Sequence, residues 1–159
     1  MMIAPAVDHP FPDVEIERRV DQLLADGYAL PISRWPLLGS YNGATGAERR
    51  AGSQKFQIAC EKTWIIPEEA CSICGATGSL GHHNENYFRP LAAKRVCRSC
   101  HGKIHRRYRH PDRWREFVEQ RGGEGWYAFI APRELTRAEA IILARQPDPS
   151  AFDPRRNGV

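Results

Sequence analysis

The sequence has no long apolar run: nowhere do about 18 apolar residues follow one another, so no membrane-spanning helix is expected. Its opening residues, MMIAPAVDHPFPD, carry no positively charged stretch followed by a sustained apolar one, which argues against an export signal. No internal repeat is present, which excludes a repeat array. Acids are scarce where bases are dense: from Arg89 to Arg115 a single acid, Asp112, stands against ten Lys and Arg, although the whole chain carries only +4. Cysteine is also sparse, five in 159 residues. Without export, such thiols are expected to stay reduced, which places the chain in the cytoplasm. With 42% hydrophobic residues, a chain this short can build one modest core.

Four of the five cysteines come as two CxxC pairs, Cys71/Cys74 and Cys97/Cys100. A two-residue gap lets both sulfurs of a pair turn toward one ion about 2.3 Å away, and two pairs complete a tetrahedron. Soft thiolates in a closed four-ligand shell point to structural Zn2+. A redox dithiol is the competing reading of any CxxC, but it needs only one pair beside a βαβ pattern. Gly75 after Cys74 can take the positive φ of a zinc knuckle. Leu80 to His83 and Lys94 to Val96 are expected to form a hairpin, with Asn84, Asn86 and Pro90 in the connection. The second pair opens a helix running toward Tyr108, with Pro111 limiting its extension. Cys60, the fifth, is expected to be a small buried side chain.

Four histidines accompany the cysteines. His101 and His105 are four apart, hence on one helical face. His82 and His83 are adjacent on a strand, so their side chains point to opposite faces. Together they could build an open metal site, the kind hydrolysis requires. They could also be surface residues on a basic helix, or one could replace a cysteine on zinc. An all-imidazole set favours Zn2+, Mn2+ or Ni2+ over Mg2+, which prefers oxygen.

The histidine pair His82–His83, Pro90, CRSCHGKIH from Cys97 to His105, and the upstream CxxC resemble the zinc-stabilised HNH endonucleases of the ββα-metal fold, over about residues 71–108. The resemblance implies a metal-dependent DNA endonuclease, with His83 as general base and His82, His101 and His105 around a divalent cation, Mg2+ included. It departs from the family first in that residues 91–96 hold no asparagine to orient the base, leaving Asn84, Asn86 or a backbone carbonyl for that role. A second register is open. Fixing the YxxPL segment on Tyr87, Pro90 and Leu91 moves the pair to His83 and Asn84, which leaves asparagine at the base position and describes a nuclease scaffold that binds nucleic acid without cleaving it.

The basic run supplies phosphate contacts in this reading: Arg98, Lys103, Arg106, Arg107 and Arg109 would position a nucleic acid, DNA by preference, without reading its sequence. A solvated basic face is the plainer alternative.

The expected architecture is α+β, a small zinc-bound ββα-metal, treble-clef-like core with flanking helices. Residues 1–12 read as a flexible start. Residues 13–66 read as a helical region packing on the core, with helices near 14–26 and 47–62. Asp13 is expected to cap the first, Thr45 or Gly46 to start the second, and Arg49, Arg50 and Lys55 remain available to solvent or phosphate. Residues 67–121 form the zinc module and its following short helix. Residues 122–146 hold a short strand or anchor at 126–130 and one helix opened by the capping box TRAE, and 147–159 read as a disordered tail.

Overall fold

The computed structural model describes residues 11–31, 37–121, 130–131 and 133–146. The expected flexible start, most of the segment 126–130 and the tail lie outside these residues, wholly or nearly so.

The fold is α+β. Helix α1 spans Asp13–Ala25 and helix α2 Gly46–Glu61. Strands β1, Leu80–His83, and β2, Lys94–Cys97, pair antiparallel with Leu80 opposite Cys97 and His83 opposite Lys94. Helices α3, Arg98–Arg106, α4, Pro111–Gln120, and α5, Arg137–Ala144, complete it. Among the described residues no helix is long and apolar enough to cross a membrane.

Local chemistry sets these limits. The α2 N-cap is Thr45, whose hydroxyl accepts from the Glu48 N–H while the Glu48 carboxylate accepts from the Thr45 N–H. Thr136 and Glu139 form the same reciprocal box on α5, as the TRAE pattern predicts. Asp13 departs from its expected role: it is the first helical residue of α1, after Pro12, and makes no side-chain cap bond. An acid there still favours the positive end of the helix dipole.

Two apolar clusters flank the hairpin. Ile16 and Val20 of α1 pack with Phe56, Ile58 and Ala59 of α2 and with Leu91 and Ala93 of the hairpin connection. The contact is close enough that a Cβ on Gly52 would lie 3.2 Å from the Tyr87 ring. On the other side, Val96, Cys71 and Cys100 pack with Ile104, Phe117 and Ile130. The N-terminal helices therefore pack on the hairpin connection. A smaller group of Ala131, Leu135 and Ala140 docks α5 nearby. Gly43 makes that docking possible: its φ is +78°, and a Cβ would fall 2.4 Å from Arg137 Cα.

Candidate metal centres

The four cysteines converge, with ligand atoms all within 4.8 Å of one another. Tetrahedral coordination at about 2.3 Å places sulfurs about 3.8 Å apart, and Cys74 Sγ and Cys97 Sγ are 3.8 Å apart. The donor set fits a zinc ion. The knuckle is closed by the Gly75 N–H donating to the Cys71 carbonyl at 2.9 Å, with Gly75 at φ +72°. It is tied to β2 by the Ser72 N–H donating to the Arg95 carbonyl. Cys97 caps α3, its Sγ accepting from the Cys100 N–H. The thiols do not ionise alike. For Cys71 burial acts upward, but backbone N–H groups from Cys74, Cys97 and Ile73 outweigh it and bring the thiol down to about 7. Burial and neighbouring thiols push Cys100 up. Four thiolates here need a cation to balance them, which a zinc ion supplies.

A second group forms on the other side of α3. Ligand atoms of His83, His101 and His105 also lie within 4.8 Å of one another. The His83 ring centroid is 5.2 Å from each of the other two, and His101 Nε2 and His105 Nε2 are 2.9 Å apart. Two nitrogens bound at about 2.1 Å to one ion stand about 3.0–3.4 Å apart, depending on geometry, so this pair is close to a ligand spacing. His83 is buried at the back of the group, and His105 is exposed at its mouth. Burial, then the charge of His83, lowers His101 to about 4. His105, whose Nε2 turns inward onto His101, is lowered in the same way to about 4. Both rings are therefore neutral near pH 7 and free to donate a lone pair.

Behind His83 stands a carboxylate that the sequence reading did not single out. Glu85 Oε2 is 2.6 Å from His83 Nε2 and accepts from the Tyr41 hydroxyl at 2.9 Å. Its other oxygen accepts from the Ala131 N–H, from the Asn42 amide and from the Arg107 guanidinium. Burial pushes the Glu85 carboxyl up, but the hydrogen bond from His83 and the Arg107 charge outweigh it, so Glu85 is held below the usual carboxylate range. With Nε2 engaged, Nδ1 is the ring nitrogen His83 has left for an ion. Carboxylate, imidazole and ion in line is the usual outer support of a metal-bound histidine. The signal was available: Glu85 is two residues beyond His83, on the same side of an extended chain. Tyr41 closes the wall, its ring 5.1 Å from that of His105.

Four site assignments need correction, those of His82, Arg107, Lys103 and Asn84. His82, expected on the cation, is not part of the group. It occupies the opposite face of β1, its ring 4.7 Å from that of Phe56, and lines a cavity of about 300 Å³ with Ser53, Gln57, Asn84 and Tyr87. Strand alternation permits only one of two adjacent histidines to face α3, and that one is His83. Arg107, expected on phosphate, is 3% exposed and spent on Glu85, the Tyr41 hydroxyl and the Ile104 carbonyl. Of the other expected contacts, Arg98, Arg106 and Arg109 are exposed. Arg98 shares the helical face of His101 and His105 by its spacing. Lys103 is turned away, with its ammonium 4.8 Å above the Phe117 ring. Asn84 does not orient a base. Its amide donates to the Arg89 and Pro90 carbonyls at 3.3 Å and clamps the hairpin connection.

No family model matches the chain, and no curated protein or solved structure matches it.

Proposed function

We propose that the chain is a metal-dependent endonuclease of HNH type acting on DNA, with His83, His101 and His105 holding the divalent cation. One observation carries the reading: three imidazoles from a strand end and the adjoining helix meet beside a basic surface, on a hairpin braced by four cysteines. The ion would polarise a phosphoryl oxygen and stabilise the departing 3′ oxygen. The protein's own residues do the rest. Glu85 fixes the His83 ring and its tautomer, the buried position of His83 anchors the rear of the site, and exposed His105 leaves the front accessible. Arg98 and Arg109 would hold the nucleic-acid backbone by charge. His83 thereby takes the role of ligand that the resemblance gave to His82.

That exchange favours a second reading. With the pair falling on His83 and Asn84, no histidine occupies the base position, and a zinc-braced protein that binds nucleic acid without cutting it becomes the alternative. Supercoiled plasmid incubated with the zinc-loaded protein plus Mg2+, Mn2+, Ni2+ or Zn2+ separates them. Cleavage that needs the added ion, is lost in His105→Ala and persists in His82→Ala supports the nuclease. Salt-sensitive binding with no cleavage under any ion supports the binder. Neither cleavage nor binding would remove nucleic acid from consideration.

A further inference from the structure

Among the described residues two arginines are buried, and one of them has a carboxylate partner there. Arg107 is paired with Glu85. Arg49, in the first turn of α2, is 9% exposed and has no carboxylate partner among the described residues. Its guanidinium carbon lies 5.3 Å from the Tyr41 ring and 5.3 Å from the Tyr87 ring. Nη1 donates to the Gly39 carbonyl at 2.6 Å. Nε is enclosed without an acceptor, and no described residue accepts from Nη2. Buried charges are as a rule paired, because desolvation is costly. Two ring faces and one carbonyl meet only part of that cost.

The position of this cation is specific. Tyr41, whose ring one side of the guanidinium approaches, is the same ring that approaches His83 at 6.0 Å and His105 at 5.1 Å. A buried guanidinium with no carboxylate partner among the described residues thus packs on the same Tyr41 ring as the three-histidine group, and its Nη2 donors suit a tetrahedral oxyanion.

We propose that Arg49 is the anion-binding residue of the three-histidine site, donating from Nη2 to a non-bridging oxygen of a phosphoryl group that the cation also holds. This rests on the metal-centre reading above and deepens it. It names the ligand class as a phosphoryl oxyanion, whether of a nucleic-acid backbone or of free phosphate. The two tyrosine faces fix the guanidinium plane, so a lysine in its place keeps the charge but not the paired donors.

The test uses the full chain with zinc in the cysteine cage and further Zn2+, a diamagnetic ion, added to the three-histidine group, with arginine side chains labelled with 15N. Inorganic phosphate and a thymidine dinucleotide are titrated separately. The Arg49 Nε–H signal, assigned by its loss in Arg49→Lys, is expected to shift and saturate with the dinucleotide. A shift with phosphate alone would make the free ion the ligand. Arg49→Met, which keeps the apolar stem between the tyrosines, is expected to weaken oxyanion binding at least tenfold and leave the affinity for the added Zn2+ within twofold. The proposal is overturned if the Arg49 signal stays still while oxyanion binds, or if Arg49→Met binds oxyanion like the parent. Should Arg49→Met not fold, the parent spectrum still decides. Failure of the added Zn2+ to bind at all would instead remove the metal centre.

Discussion

Replacing Glu85 by glutamine removes one charge from the most enclosed polar cluster in the protein while keeping its shape. Glu85 is 5% exposed and Arg107 3%, so neither regains much water when the pair is broken. The amide also presents a donor where the carboxylate accepted from Arg107, the Ala131 N–H, His83 and the Tyr41 hydroxyl. Breaking a buried pair from one side costs about 3–5 kcal/mol, a large part of the about 5–15 kcal/mol that holds a typical domain folded. Urea unfolding of the zinc-loaded protein at pH 7 measures it as a lower midpoint with an unchanged slope. The sign with pH follows from the depressed folded pKa of Glu85. Its contribution is fully present above the unfolded carboxyl value, about 4.3, and is lost as pH falls toward the lower folded value. The part of the gap between parent and Glu85→Gln that comes from ionisation of Glu85 should therefore be constant above about pH 5 and shrink below it. Adding Arg107→Met should recover part of the loss, because the orphaned charge goes with it. A loss under about 1 kcal/mol, the scale of an exposed pair, would refute the account of this cluster.

Three further outcomes follow from the same structure. Cys71→Ser, or strong chelation, should release the zinc and unfold the hairpin with α3, seen as collapse of amide dispersion, while Cys60→Ser should keep the metal. Phe56→Ala, at a side chain 3% exposed beneath His82, should cost about 3–5 kcal/mol in the same urea assay. Gly43→Ala should undo the docking of α5, read as faster amide exchange over residues 137–144, because the added carbon meets the Arg137 backbone at 2.4 Å.

The parts of this fold that were legible in the sequence are those set by short-range chemistry. The CxxC spacing announced the four-sulfur group, Gly75 its knuckle, and the TRAE box the start of α5, while Thr45 or Gly46 marked that of α2. The hairpin strands fell within a residue of their expected limits. Side choice was not legible. Alternation states that His82 and His83 face apart, but which one meets α3 depends on Phe56, 26 positions earlier, receiving one ring and on Glu85 and Tyr41 receiving the other. The basic run was equally opaque: a row of arginines looks uniformly solvated until one of them, Arg107, finds a carboxylate 22 residues upstream. Arg49 was read as available to solvent or phosphate, and its enclosure between two tyrosines depends on a loop and a hairpin connection far apart in the chain.

The central claim is that His83, His101 and His105 form one divalent-cation site distinct from the cysteine cage. Titrating the zinc-loaded protein with Ni2+ by calorimetry, with the bound metals counted afterwards, tests it most directly. The account expects one additional ion per chain in the parent and in His82→Ala, and none in His105→Ala. An extra ion lost in His82→Ala but kept in His105→Ala, or no extra ion in the parent, would contradict it.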